Sequence, residues 1–354
     1  MKLHLLIPSL FWPDTAFTAI YGDLPLPSLE NLLGKSTNTN DVPQELEPWL
    51  CSTFSVARQQ DWPVAPITLS VDGNSEAKAD EIRVEGSYWI RADPVHLHIE
   101  HDQILLADGR VFKISSAEAQ QLTEVLNRHF SENGERISFL PLRPDRWYLR
   151  APDMTPATTH LLSEAANKNI KNLLPFGAND TAWRSLFNEI QMLLHEHPVN
   201  QSREARGEPA VNGTWFWGGG VMPKSIVSPY THLWSNELLT ESLALISGTH
   251  HANLPLDAKA LFQSSSSGHH FVVLDVLHGK AQYADAYGWR ESLKNLEQNW
   301  FEPVSRALRQ SVLAQVVVTT LGGAKTMNFT VRSGDLRKFW RRRKPFSDYS
   351  NREI

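Results

Sequence analysis

A chain of 354 residues, 41% hydrophobic and 21% charged, has the composition of a globular protein and room for one large or two smaller domains. A formal net charge of −5 and a pI near 6.3 exclude a global attraction to nucleic acid or to an anionic membrane surface. The single cysteine, Cys51, excludes a disulfide framework and thiolate zinc sites, and it fits a reducing cytoplasm.

Residues 3–7, LHLLI, read as a core strand stopped by Pro8. The run is too short for a signal peptide, and no apolar stretch of about 18 residues could span a membrane. LPLPSLENLLGK then predicts a helix with Ser28 as its N-cap and Gly34 as its stop. After a polar loop, EPWLCSTFSVARQQ has helical spacing, and APITLSVDG alternates into a turn at Asp72-Gly73. GNSEAKADE is polar and charged and reads as a disordered tip.

Residues 87–114 read as strands, with Asp108-Gly109 as a hairpin turn. SSAEAQQLTEVLNRHF is a helix whose Ser115 and Glu118 form a capping box. The strand pair ISFLPL and RWYLRAP follows, then a helix with Trp183, Leu186, Phe187, Ile190 and Leu194 on one face. Downstream, THLWSNELLTESLALISG looks helical and SSSSGHH is a loop. HFVVLDVLH and AQVVVTTLGG are apolar strands joined by a long helix from Trp289 to about Leu313, a βαβ pattern. The basic LRKFWRRRKPF reads as a solvated or subunit-contacting tail; a nucleic-acid contact is the minor alternative.

Functional signal concentrates in HPVNQSREARGEPAVNGTWFWGGG, residues 197–220. Glycine runs allow close backbone approach, and their amides can face an anion. With Arg203 and Arg206 just upstream, Gly218, Gly219 and Gly220 suggest a phosphate or carboxylate site; the alternative is a buried strand followed by a turn. Arg91 and Asp93, in WIRADPVHL, place a cation and an acid at a sheet's carboxyl edge, where ligands of open α/β sheets gather, unless they only salt a structural Asp-Pro turn. His96 and His98 share one strand face, and the pairs His250-His251 and His269-His270 lie in loops; neither pattern makes a persuasive metal site. No G-x-S-x-G elbow, Walker loop or Rossmann fingerprint is present.

WIRADPVHL, the capped helix at Ser115, residues 197–220 and the strand–helix–strand carboxyl half together resemble a bacterial family of regulators of pathogenicity-factor expression. That family is related to archaeal-type cofactor-independent phosphoglycerate mutases of the alkaline phosphatase superfamily. The resemblance implies an α/β fold, a doubly wound, mostly parallel sheet core of alkaline phosphatase type with an inserted smaller α+β domain. The core would comprise residues 1–95 and 205–345, the insertion 96–204 and a tail 346–354.

Catalytic relatives hold two divalent metals and transfer the phosphoryl group through a serine or threonine. Where their first metal aspartate stands, this chain has PSLFWP. Asp275 survives on its strand, but Gln282 and Tyr283 stand where the histidine is sought, and Leu321-Gly322 replace an Asp-His pair. Ser52 or Ser55 is the loose counterpart of the nucleophile.

The expectation is therefore a cytoplasmic, non-catalytic regulator or anionic-ligand binder, with no cofactor. Arg91, Asp93, Arg203, Arg206, Trp217 and the glycines 218–220 would form its site, with His197, Asn200 and Asn212 orienting the loop. Its partners would be a small phosphate or carboxylate and possible protein partners, not a membrane. The alternatives are a metal-dependent mutase or phosphoryl transferase, which needs a divalent cation, and an interaction protein using its basic tail.

Overall fold

The computed structural model describes residues 1–73, 86–177, 180–265, 267–338 and 340–350. It divides into two compact units, the first made of residues 1–54 and 227–354 and the second of residues 55–226. The polar segment after Gly73 that was expected to be a disordered tip lies outside the described residues. The fold is mixed α/β, with a mostly parallel sheet in unit one and a separate antiparallel sheet in unit two.

Strands are numbered along the whole chain. Unit one contains β1 (Lys2–Leu6), β2 (Thr37–Asp41), β8 (His232–Trp234), β9 (His250–Ala252), β10 (His269–Val273), β11 (Gln315–Thr320) and β12 (Thr326–Arg332). Their order is β2-β12-β11-β1-β10-β8-β9. The five strands from β11 to β9 run parallel, and β12 and β2 add an antiparallel edge. β1 is central because Leu3, Leu5 and Leu6 are buried on both faces, as a parallel strand covered by helices requires. The helices Pro27–Lys35, Ala286–Leu296 and Glu302–Arg309 pack their apolar stripes into this core through Leu29, Leu32, Leu293 and Val304. The chain passes from β10 through helices to β11 on the other side of β1, so the expected βαβ pattern holds with β1 between its strands.

Unit two contains β3 (Trp89–Glu100), β4 (Gln103–Ala107), β5 (Ser138–Arg143), β6 (Arg146–Arg150) and β7 (Gly213–Gly220). They run β4-β3-β6-β5, with β7 also pairing with β3. The helix Ser116–Glu132 starts at the expected capping box, with Glu118 N–H donating to Ser115 Oγ at 3.2 Å and Ser115 N–H to Glu118 at 2.8 Å. The sequence division at 95 and 205 cuts through β3 and assigns β7 to the core, whereas β7 pairs with β3 inside unit two.

Several local expectations fail for identifiable reasons. APITLSVDG is the helix Val64–Asp72, buried on nearly every side, so its apolar residues show no face preference to read. The helix at 27 begins on Pro27, and a distant residue caps it: Glu297 accepts the Ser28 and Leu29 amides at 2.6 and 3.0 Å. Gly34 lies inside that helix. The chain turns at Asp108-Gly109, but no strand follows, and THLWSNELL opens with the strand β8 before its helix, Leu238–Ser247. The long helix is broken by a π-helical turn, Glu297–Phe301, which supplies that capping carboxylate. The basic segment is partly docked: Arg341 donates to the Lys35 and Ser36 carbonyls, and Arg343 pairs with Glu30 at 2.7 Å. No helix among the described residues is long and apolar enough to cross a membrane.

Candidate functional site

The structure brings Arg91, Asp93 and Trp217 together inside unit two. Both ionic side chains are buried on one face of β3, which follows from their i, i+2 spacing. Arg91 donates three hydrogen bonds of 2.7–3.0 Å to Asp93 and lies 5.0 and 5.2 Å from the ring centres of Tyr148 and Trp217. Asp93 also accepts from the Trp147 amide at 3.1 Å and from Trp217 Nε1 at 2.8 Å. Burial alone would lower the Arg91 pKa, but the Asp93 carboxylate more than offsets this and keeps the guanidinium protonated. The pair lies early in a twelve-residue antiparallel strand, not at the carboxyl edge expected of it. It is a closed interior network.

Residues 197–220 are similarly occupied. Arg203, 1% exposed, donates to the Pro209 and Lys113 carbonyls and to Glu118, at 2.8–3.1 Å. Arg206 bonds to Glu118 and Glu208. His197 caps the helix Pro198–Ala205 by accepting the Val199 amide on Nδ1. Asn200 clamps the backbone of Leu194 and Val211, and Asn212 exchanges two hydrogen bonds with the Leu97 backbone. These three side chains orient the segment.

The glycines are packed, not open. A Cβ on Gly218 would stand 2.9 Å from Val64 Cβ, one on Gly219 would collide with the Tyr88 hydroxyl, and one on Gly220 would stand 2.6 Å from Pro63 Cβ. They let the helix Val64–Asp72 and its approach lie against β7. The cations and glycines meant to hold an anion are therefore spent on internal partners.

The carboxyl edge of unit one is different. β1 runs through Ile7 to Ser9, a buried non-glycine residue at φ 56°. Its Oγ lies 3.2 Å from His278 Nδ1, its amide donates to the Leu321 carbonyl at 2.8 Å, and its carbonyl accepts from Trp289 Nε1 at 2.9 Å. On the neighbouring strand, Thr320 Oγ1 accepts the Leu10 amide at 3.2 Å. Asp275 follows β10, exposed, and its carbonyl accepts the His278 amide at 2.9 Å. Nearby Glu237 caps the helix Leu238–Ser247; burial raises its carboxyl pKa, the amides of Leu239 and Thr240 oppose this, and the Asp275 charge adds to it.

Sequence reading missed Ser9 and His278. The available signal was Asp275-x-x-His278 directly after an apolar strand; the histidine was sought at 282–283 instead. Of the two serine candidates, Ser52 is exposed on the helix Leu46–Thr53 in unit one, and Ser55, exposed at φ 59°, begins unit two.

Beside this edge lies a cleft of about 590 Å³. Phe11, Trp12, Pro13 and Thr15 form one wall, and Thr320, Leu321 and the residues 323–325 form another. A two-metal centre does not fit the donors present. Among the described residues, no three His, Cys, Asp or Glu side chains are grouped to hold a metal, and the ends of β1 and β11 carry Ser9 and Thr320-Leu321.

Residues 75–200 match the family described as 2,3-bisphosphoglycerate-independent phosphoglycerate mutase. Over that stretch, which lies within unit two, the chain is mutase-like. Among solved structures, the PH0037 protein from Pyrococcus horikoshii is similar at 12% identity and a TM-score of 0.52, covering 94% of this chain and 87% of that one. At that identity the likeness is one of fold. The cofactor-independent phosphoglycerate mutase from Thermoplasma acidophilum DSM 1728 aligns at 13% identity and a TM-score of 0.49, over 100% of this chain and 95% of its own. No curated protein matches the sequence.

Proposed function

We propose that this chain is a mutase-like protein that does not carry out two-metal phosphoryl transfer, and that it acts as a regulator or sensor by binding a small anionic ligand at the carboxyl edge of unit one. The observation that carries this reading is the chemistry of the strand ends. Hydroxyl and apolar side chains, Ser9, Thr320 and Leu321, stand at the ends of β1 and β11. Neutral hydroxyls are poor substitutes for the carboxylates and imidazoles that hold divalent cations. The mutase likeness of residues 75–200 supports descent from a phosphate-handling protein without supplying those donors.

Elemental analysis of the purified chain, paired with a phosphoglycerate mutase assay in added manganese or magnesium, tests this. Folded protein without stoichiometric metal and without turnover is expected. One or two tightly held ions per chain together with turnover would overturn the reading. That result would favour the second one, metal-dependent phosphoryl transfer, which rests on the Asp275-x-x-His278 pair beside Ser9.

A further inference from the structure

Five residues, 321–325, connect β11 to β12, and four of them, Gly322-Gly323-Ala324-Lys325, project at the carboxyl edge of the parallel sheet. Gly322 sits at φ 83°, the left-handed conformation that turns successive amides toward one side. Among the described residues, no backbone carbonyl accepts from the amides of Gly322, Gly323 or Ala324. Gly323, Ala324 and Lys325 line the cleft, and a Cβ added to Gly323 would meet nothing nearer than the Lys325 carbonyl at 4.0 Å. Amides without a backbone acceptor, a left-handed glycine and a lysine at one turn make an anion-binding concavity of the nest type.

The opposite wall gives the second half of the recognition. Phe11, Trp12 and Pro13 face the cleft, with Met327 beside them. Phe11 is stacked on Phe346 at 5.0 Å, and Trp12 meets Trp289 edge-on at 5.6 Å, so both rings are held in place before any ligand arrives. A cleft of about 590 Å³ is of the size that takes a small organic molecule. An apolar wall of fixed aromatic rings opposite a cationic amide turn selects a ligand with a flat apolar body and one anionic end.

We propose that this cleft binds an aryl phosphate or aryl carboxylate, with the anionic group on the amides of residues 322–324 and on Lys325 and the ring against Phe11, Trp12 and Pro13. The inference deepens the reading of unit one as a binding unit and rests on it. The two fail separately: metal with turnover would end that reading while leaving the cleft free to bind, and a silent titration of metal-free, inactive protein would end this one alone.

Calorimetric titration of the full chain with phenyl phosphate, benzoate, inorganic phosphate and phenol is the test. Binding of at least one aryl anion is expected, about tenfold or more tighter than inorganic phosphate because the ring is buried, with little heat from phenol. The tighter of phenyl phosphate and benzoate identifies the anionic group. Gly323→Leu puts a side chain into the open cleft at a backbone conformation that tolerates it, and should abolish binding with an unchanged melting temperature. Lys325→Gln should weaken the aryl anion by about tenfold and leave any phenol binding alone. No heat from either aryl anion, phenol binding as well as they do, or wild-type affinity in Gly323→Leu would each overturn the proposal.

Discussion

Gly218–Gly220 closes β7 in unit two, and Gly322-Gly323 follows β11 in unit one, so each glycine run stands at the end of a sheet strand. They differ in what occupies the space a side chain would fill. At β7 that space holds Val64, Tyr88 and Pro63, while at Gly323 it is open cleft. The cations beside the two runs differ in the same way. Arg203 and Arg91 are buried in the interior, whereas Lys325 lines a cleft. A glycine run with arginines upstream is thus a packing joint in one unit, and a glycine pair with a lysine downstream is a candidate anion site in the other.

The contrast extends to the buried polar groups of each unit, and acid should expose it most strongly. In unit one His4 is half-buried and neutral, bonded to Thr319 Oγ1 and the Tyr230 hydroxyl at 2.7 Å each. Burial first, then the nearby His269, lowers its pKa to about 3. Between the ordinary histidine value near 6.5 and that of the folded state, the unfolded chain binds a proton that the folded chain refuses. Stability is therefore full above about pH 6.5 and falls as pH drops toward 3, by up to roughly 5 kcal/mol over the whole window. Denaturant melts at stepped pH should show this slope, and His4→Gln should flatten it; an unchanged slope would remove His4 as its source.

In unit two the buried pair is ionic. Arg91→Met leaves Asp93 buried without its cation and should cost about 3–5 kcal/mol in the same melts. A loss below about 1 kcal/mol would mean that the network is not the closed interior described above. Next in size is Gly220→Ala, whose new methyl would press on Pro63 and Gln59 and should cost about 1–3 kcal/mol. Gly219→Ala should behave alike and be partly rescued by Tyr88→Phe, which removes the hydroxyl in its way. The smallest effect belongs to Gly323→Ala, expected within about 0.5 kcal/mol of the parent. Equal losses at Gly220 and Gly323 would erase the distinction between packed and open glycines.

Much of the fold was legible because its signals are local. The capping box at Ser115, the stripe from Trp183 to Leu194, and the unbroken apolar strands β10 and β11 each carry their cause within a few residues. The helix Val64–Asp72 was not legible, since burial on nearly all sides removes the periodicity that marks a helix. The cap that Glu297 provides at Ser28 could not be read either, because its donor and acceptor lie 269 positions apart.

The candidate site was less legible than the fold. Residue types alone assigned an anion to Arg203, Arg206 and the glycines 218–220, and they passed over Ser9, His278 and the turn at 322–325. A guanidinium or an amide binds a ligand only when the protein leaves it without a partner, and partners such as Glu118, Lys113 O and Pro209 O come from elsewhere in the chain. The sequence by itself determined most of the strands and helices and that one sheet would be mostly parallel, since periodicity and turn chemistry act over a few residues. Only the tertiary structure decided which glycines are packed and which are open, which charges are matched, and hence where a ligand could bind, because close packing and hydrogen-bond satisfaction are settled between residues far apart in the chain.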